Sequence, residues 1–195
     1  MKNFILLSTV LTSSFLLSAC TPSSNETSSM MEDPMMEDSM ENVDHSAMGH
    51  DMKSMMVQSD ENFIALMIPH HQEAIDTAKV ILEKSENTEL KTLAQNIVDA
   101  QTLEIEQMES WGKEWFGSDF KASEQYEEMM PDLSVLEGEA LDQAFIEGMI
   151  GHHEMAITMA YEIQMITEQI ELLEMADAII DTQSAEIKTM EGWLN

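Results

Sequence analysis

Two pairs of adjacent histidines stand in stretches whose other residues have the spacing of an amphipathic helix. The first pair lies in MIPHHQEAI (67–75) and the second in MIGHHEMAI (149–157). Neutral imidazole is the commonest nitrogen ligand of metal ions, and the methionine thioether is a soft ligand that selects monovalent copper or silver. The two stretches therefore indicate a metal site. Plain core packing, or an ion pair between a histidine and a nearby carboxylate, is the structural alternative.

Carboxylates accompany the histidines in a second apolar stripe, which also occurs twice. Its spacing alternates between four and three residues, as an inward-facing seam requires. Each copy is interrupted only by a glutamine and a glutamate, and a carboxylate on a seam costs several kcal/mol unless it is paired or bound. The stripe members are Leu90, Ala94, Ile97, Gln101, Glu104, Met108 and Trp111 in one copy and Leu172, Ala176, Ile179, Gln183, Glu186, Met190 and Trp193 in the other.

These residues belong to an internal duplication. A shift of 82 residues aligns 63–111 with 145–193 without a gap, and 22 of the 49 positions are identical. Each copy predicts two helices, near 59–85 and 88–114 in the first repeat and near 139–168 and 170–194 in the second, with an acidic connection between the repeats. Two antiparallel hairpins bury their apolar faces best by packing together, so the sequence predicts an all-α fold in which 59–195 forms a four-helix bundle.

The hairpin geometry predicts which side chains meet. With a turn near 86–88, residue 70 falls roughly opposite 104 and residue 67 opposite 108. This brings one level together, which holds Met67, His70 or His71, Gln101, Glu104 and Met108. Imidazole, carboxylate and thioether are therefore expected to converge at one end of the bundle, once in each repeat. Adjacent histidines point about 100° apart on a helix, so one of each pair is expected to face its own site while the other lies at the edge or in the other repeat's site. Pro69, which removes a backbone N–H, is expected to bend the helix just before the histidines.

Residues 20–58 differ in composition from the rest. The segment contains no aromatic residue and few aliphatic ones, so it is predicted to be a disordered tail. It nevertheless carries nine methionines, and in DHSAMGHDM (44–52) it resembles the Met/His segments of bacterial periplasmic copper and silver proteins. The alternative explanation is that this low-complexity segment acquired its methionines and histidines by drift, without a function. The candidate metal ligands of this segment are His45, Met48, His50 and Met52.

The first residues predict export. Residues 1–19 combine a basic Lys2 with an apolar run that is too short and too rich in serine for a transmembrane helix. The sequence LSAC (17–20) resembles the bacterial lipoprotein box, which implies cleavage before Cys20 and lipidation of its thiol. The predicted location is the periplasm or cell envelope, with membrane attachment through a lipid anchor. Ordinary secretion with an unused thiol is the alternative.

The charge of the chain excludes some partners. There are 38 acidic residues and only 8 basic ones, which gives a formal net charge of −30. Such a chain repels phosphates, so nucleic acids and anionic membrane surfaces are not expected as partners. Metal cations are the expected partners, and other copper-handling envelope proteins are a further possibility.

Each histidine motif is followed by the pattern A-x-x-I-x-x-x-Q-x-x-E-I-x-x-M-x-x-W. Together these motifs resemble the bacterial family called domain of unknown function 305. The resemblance covers about residues 60–195. It implies a ferritin-like helical bundle in exported proteins, several of which are associated with copper or silver binding. The implied site positions are Met67, His70, His71, Glu104 and Met108, and their mates Met149, His152, His153, Glu186 and Met190. Met155 departs from the duplication because the first repeat has Glu73 at the equivalent position. The candidate ligands of the second repeat are therefore softer than those of the first.

Two functions from different classes compete. The first is an exported protein that sequesters or carries Cu(I), with Cu(II) and silver as further ions, and contributes to metal homeostasis or resistance without catalysis. The second is an oxidase with a carboxylate-bridged di-iron centre. That chemistry requires Glu-x-x-His on two helices, and no such motif occurs in the chain. A purely structural bundle would leave the methionines of 20–58 unexplained.

Overall fold

The computed structural model describes residues 57–195, which fold into four α-helices without any strand. This confirms the predicted all-α fold. The helix bounds agree with the sequence prediction to within a few residues, and the largest difference is at the end of the third helix. The helices are α1 (Asp60–Lys84), α2 (Thr88–Phe116), α3 (Gly138–Gln164) and α4 (Ile170–Leu194).

Side chains just before α1 and α2 fix where these helices begin. The Ser59 hydroxyl accepts a hydrogen bond from the Asn62 backbone N–H at 3.1 Å, and the Asn87 side chain accepts from the N–H groups of Glu89 and Leu90. Such caps satisfy backbone donors that have no partner within the helix. Only three residues separate α1 from α2, so these two helices form an antiparallel hairpin as predicted.

The helix breakers do not interrupt the helices. Pro69 lies inside α1, which continues from Asp60 to Lys84, and Gly151 lies inside α3. The helix bend expected at these positions stays a prediction.

The bundle has two apolar clusters, which are separated by a polar level. Besides the two hairpins, α1 packs against α3, and the order of residues in the clusters shows that these two helices are antiparallel. The first apolar cluster joins the beginning of α1 to the end of α3, and it includes Phe63, Ile64, Met67, Met108, Met159, Ile163 and Leu172. The second apolar cluster joins the end of α1 to the beginning of α3, and it includes Ala74, Ile81, Leu90, Ile97, Phe145, Met149 and Met190.

The connection between the repeats packs against the helices. The backbone N–H of Ser123 donates to the Ala65 carbonyl at 2.8 Å, and Leu133 is buried in the second apolar cluster. Gly148 permits the close approach of this segment to α3, because a Cβ atom there would lie 2.8 Å from Cδ of Pro131. The connection therefore covers part of the bundle and does more than join the hairpins.

Packing against the bundle includes Val57, two residues before the predicted boundary at 59. Val57 belongs to the first apolar cluster, and its backbone N–H donates to the Glu162 carboxylate at 2.9 Å. The predicted signal peptide, Cys20 and the candidate ligands of the Met/His-rich tail lie outside the described residues. Within residues 57–195, no helix combines the length and the apolar character that crossing a membrane requires.

Candidate metal centre

The four histidines of the bundle form a single layer at its middle. All four side chains are buried. The rings of His70 and His152 lie face to face at a tilt of 35°, with centroids 3.7 Å apart, while the rings within each adjacent pair are 6.2 and 6.3 Å apart. We call these four residues the histidine layer.

The position of the histidine layer corrects one expectation from the sequence. The hairpin geometry predicted one convergence of ligands per repeat, at an end of the bundle. The histidines instead occupy the middle of α1 and of α3. Because these helices are antiparallel and cross at that level, the two pairs face each other in one layer between the apolar clusters.

One histidine of each pair contacts the seam glutamate of its own hairpin. Nε2 of His71 lies 2.7 Å from the Glu104 carboxylate, and Nε2 of His153 lies 2.8 Å from that of Glu186. The sequence left open whether His70 or His71 meets Glu104, and the structure shows that it is His71. The prediction that each seam carboxylate faces an imidazole of its hairpin holds, and the same contact occurs in both repeats.

A third carboxylate crosses from the first repeat to the second. Nε2 of His152 lies 3.2 Å from Oε2 of Glu73, a longer and less well aligned contact than the other two. Glu73 also accepts a hydrogen bond from the Tyr126 hydroxyl, and its Oε1 accepts from the N–H groups of Met129 at 2.7 Å and Met130 at 2.8 Å. The connection between the repeats thus holds Glu73 against the histidine layer.

The histidine layer contains ring nitrogens without hydrogen-bond partners. Among the described residues, Nδ1 of His71, His152 and His153 has no such partner, and neither nitrogen of His70 has one. In His71 and His153, Nε2 faces a carboxylate and therefore carries the proton, so the lone pair of a neutral ring is on Nδ1. Buried polar atoms are normally paired. The layer thus presents unused lone pairs of the kind that bind metal ions.

The electrostatic environment keeps the central imidazoles neutral. Burial, together with the neighbouring histidines, lowers the pKa of His70 well below its ordinary value. Burial also lowers the pKa of His152, although Glu73 opposes that change. Burial raises the pKa of Glu73, but interactions with His152, Tyr126 and Met130 outweigh it and leave the pKa below its ordinary value. A histidine must be neutral to bind a metal ion, so these environments favour ligation.

The predicted thioether ligands lie on both sides of the histidine layer. Met67 and Met108 are fully buried in the first apolar cluster, whereas Met149 and Met190 are fully buried in the second. Each stands four residues, about one helical turn, from His71, Glu104, His153 or Glu186 on its own helix. The structure therefore places the thioethers of each repeat together, next to the layer.

The donor set is unusual for a hard metal ion. Within residues 57–195, no three side chains of His, Cys, Asp or Glu are arranged to hold a metal ion. The Oε1 atoms of Gln101 and Gln183 are also buried without a hydrogen-bond partner. Imidazole and thioether together form a donor set that suits Cu(I) or Ag(I) better than a hard cation.

Sequence reasoning did not assign two of the residues in this centre. Glu73 was noted only as the position where the repeats differ, and Tyr126 was not noted at all. The signal for Glu73 was its position one turn after His70, on the same helix face. Tyr126 lies in an irregular segment without periodicity, and its contact with Glu73 spans 53 residues of sequence.

Comparison with known proteins supports the fold and matches the chain to a family and to solved structures. The family model described as "domain of unknown function (DUF305)" matches residues 15–112 and 60–194. Among solved structures, CopM in the Cu(II)-bound form is 41% identical with a TM-score of 0.64, and the match covers 71% of this chain and 97% of CopM. CopM in the Cu(I)-bound form is 40% identical with a TM-score of 0.64, and the match covers 70% of this chain and 96% of CopM.

Two further matches extend this comparison. CopM was also solved in an Ag-bound form, which is 41% identical with a TM-score of 0.62 and covers 70% of this chain and 94% of CopM. A DUF305 fragment from Deinococcus radiodurans is 30% identical with a TM-score of 0.62, and covers 71% of this chain and 97% of the fragment. A comparison with curated proteins gives no match.

Proposed function

This chain belongs to the DUF305 family, and on that premise we propose that it is an exported protein that binds Cu(I) and Ag(I) and sequesters or carries them. The ligands come from the histidine layer and the thioethers beside it, with a second, Met/His-rich ligand set in the tail. The protein thereby contributes to metal homeostasis or resistance. The leader and the LSAC sequence support export and attachment through a lipid on Cys20.

The unpaired nitrogens of the histidine layer carry this proposal. Five buried ring nitrogens, Nδ1 of all four histidines and Nε2 of His70, have neither a hydrogen-bond partner nor a carboxylate contact. An interior that served packing alone would use apolar side chains of similar volume, because unpaired buried polar groups cost free energy. Each neutral ring has one nitrogen with a lone pair, and bound metal ions would use these lone pairs and remove much of that cost.

The carboxylates act on the histidines in this proposal. Glu104 and Glu186 each face Nε2 of an imidazole, which fixes the ring orientation and leaves Nδ1 for the metal. This is the usual arrangement in which a carboxylate orients a metal-binding histidine. A di-iron oxidase would instead need several carboxylates that bridge two ions, whereas Glu73, Glu104 and Glu186 each contact a different imidazole.

The experiment is an anaerobic titration of the full chain with Cu(I) in competition with a chromogenic chelator. The double variants His70→Ala/His71→Ala and His152→Ala/His153→Ala are expected to lose the Cu(I) that is released between pH 7 and pH 5, because protons compete with metal for imidazole. Thioethers do not titrate, so the Cu(I) bound by the tail should persist in mild acid and be lost when residues 21–56 are deleted.

Matched controls separate metal binding from folding. Gln72→Ala and Glu154→Ala change exposed neighbours of the two pairs and should leave both classes of bound Cu(I) unchanged. Circular dichroism of each variant verifies that the helices persist. If folded double variants keep the stoichiometry and pH dependence of the parent, the histidines are core residues and the proposal is wrong.

A further inference from the structure

The turn of the second hairpin exposes four large apolar side chains that lie close together in the sequence. Tyr161 belongs to the last turn of α3, Met165 and Ile166 lie in the connection between α3 and α4, and Ile170 is the first residue of α4. Their exposed fractions are 54%, 76%, 47% and 67%, in that order. We call these four residues the exposed apolar patch. Grouped exposed apolar side chains mark sites of interaction, whereas single ones are ordinary.

The described part of the chain begins beside this patch. Val57 is buried in the first apolar cluster together with Ile163, and its backbone N–H donates to the Glu162 carboxylate at 2.9 Å. Glu162 directly follows Tyr161 and stands three residues before Met165. The chain that precedes Val57 therefore starts close to the exposed apolar patch.

The residues just before Val57 have a composition that suits an apolar surface. Residues 48–56 read MGHDMKSMM, and four of these nine residues are methionines. Their positions, i, i+4, i+7 and i+8, have the spacing of one helix face. The segment is too poor in other apolar residues to form a core of its own. Methionine is unbranched and adapts to irregular apolar surfaces, and its sulfur makes favourable contacts with aromatic rings such as that of Tyr161.

Charge distinguishes this segment from the rest of the tail. Residues 26–44 carry seven acidic side chains and no basic one, whereas 48–56 contain one of each, Asp51 and Lys53. Around the exposed apolar patch, the sequence has several glutamates and no lysine between 138 and 187. The glutamates next to patch residues are Glu162, Glu168 and Glu171. Their carboxylates repel the acidic part of the tail but not the neutral segment.

The covalent connection favours this segment over a second copy of the chain. A segment joined to the bundle at Val57 meets the exposed apolar patch at an effective concentration in the millimolar range. A second copy would bring together two chains that each carry a formal net charge of −30, and such a charge opposes association.

We infer that residues 48–56 dock on the exposed apolar patch, with the methionines of the segment against its four apolar side chains. Docking holds the tail's candidate ligands Met48, His50 and Met52 at the end of the bundle that contains the first apolar cluster. It requires no metal ion, so it goes beyond the proposed function and can be tested on metal-free protein.

Proteolysis of the metal-free full chain by a lysine-specific protease measures whether the segment is docked. Lys53 is the only basic residue between Lys2 and Lys79, so one cleavage reports on this part of the tail. A docked segment is cleaved only through its open population. The variant Met165→Ser/Ile170→Ser removes two exposed side chains of the patch, and cleavage at Lys53 should become roughly three- to tenfold faster.

The matched control for this variant changes two exposed apolar side chains that stand alone in the sequence. Leu103→Ser/Val135→Ser alters residues that are 66% and 77% exposed, and Lys53 should be cleaved at the parent rate. Circular dichroism verifies that the helices persist in both variants.

Oxidation of methionines by dilute hydrogen peroxide, mapped by peptide mass spectrometry, reads the patch from the other side. Replacing the four methionines of 48–56 should raise the oxidation rate of Met165 by roughly threefold or more, because docking shields its sulfur and susceptibility follows exposure. Met130, which is half-buried in the connection between the repeats, is the internal reference and should keep its rate. The variant is Met48→Ser/Met52→Ser/Met55→Ser/Met56→Ser.

The control for the oxidation test removes the same number of methionines from the acidic part of the tail. It should leave the Met165 rate unchanged, and neither tail variant alters the bundle itself. The control variant is Met30→Ser/Met31→Ser/Met35→Ser/Met36→Ser.

The inference requires both changes, faster cleavage at Lys53 and faster oxidation of Met165, and the absence of either overturns it. Protection of Met165 that increases with protein concentration, together with a dimer in gel filtration, would mean that a second copy covers the patch and would overturn it as well. Both measurements are made with a chelator present, so a failure of the proposed function would leave them unchanged.

Discussion

Acidification should destabilise the metal-free bundle between pH 6.5 and pH 5, because the pKa of His70 is held well below its ordinary value in the folded protein. Below pH 6.5 the unfolded chain binds a proton at this residue, whereas the folded chain does not. Stability is therefore complete above the unfolded pKa of about 6.5 and is lost as the pH falls toward the folded value, by about 1.4 kcal/mol per pH unit.

The magnitude follows from the width of that window. As long as the pH stays above the folded pKa of His70, each pH unit below about 6.5 lowers the free energy of unfolding by about 1.4 kcal/mol. His152 adds to the loss to a smaller extent, because Glu73 opposes the effect of burial on its pKa. Since small domains are stable by roughly 5–15 kcal/mol, the effect is large enough to measure. The Glu73 pKa lies below its ordinary value, so its contribution is lost only as the pH falls below the ordinary glutamate pKa of about 4.3.

Urea unfolding at pH 7, 6 and 5, with a chelator present, measures this loss. The slope of stability against pH should become shallower in His70→Leu by up to about 1.4 kcal/mol per pH unit. The variant His45→Gln/His50→Gln, which alters only the tail, should keep the slope of the parent. Equal slopes in the parent and His70→Leu would refute the reasoning, because they would mean that His70 takes up its proton in the folded state.

Three further predictions address the tail, the anchor and the carboxylates. Deleting residues 21–56, which keeps Val57, should leave the helical circular dichroism per folded residue and the cooperativity of melting unchanged, and a marked loss of either would show that the tail supports the fold. Cys20→Ala should release the protein from membranes or block its processing, since acyl chains supply the attachment, and unchanged membrane fractionation would exclude the lipid anchor. Glu104→Gln, which keeps the shape but removes the charge, should weaken acid-sensitive Cu(I) less than loss of His71 does. An equal loss in a chelator competition would mean that Glu104 itself binds the metal.

The duplication explains how much of this structure the sequence could predict. Residues that the repeats share, such as the histidine pairs and the seam glutamates, indicated both the helices and the side chains that meet. The exact pairing within a hairpin is harder to predict, because a shift of one residue rotates a helical side chain by about 100°. That shift decides between His70 and His71 as the partner of Glu104, and the sequence left both open.

The features that the sequence did not predict come from contacts between the repeats. Periodicity describes each helix separately and says nothing about how α1 crosses α3. The sequence therefore left open whether the second histidine lies at the edge of its own site or in the other repeat's site, and the structure brings His70 and His152 together. The contact of Tyr126 with Glu73 depends on an irregular connection that packs on the bundle, for which no spacing rule exists. The end of α3 at Gln164, earlier than predicted, has a different origin, because a turn within the second repeat, and not a change of periodicity, ends the helix.

The free-energy cost of burying polar side chains in the histidine layer gives the last argument for a bound metal ion. The bundle interrupts its core with four buried imidazoles and two buried glutamines, and several of their polar atoms are unpaired. Each unpaired atom costs roughly 1–3 kcal/mol relative to a satisfied one, and apolar residues of similar size would avoid that cost. A ligand that binds only the folded state stabilises it by about 4 kcal/mol when its concentration is a thousand times Kd. A bound monovalent ion would therefore offset much of the cost of the histidine layer, and the metal-bound protein should unfold at higher urea concentrations than the metal-free one.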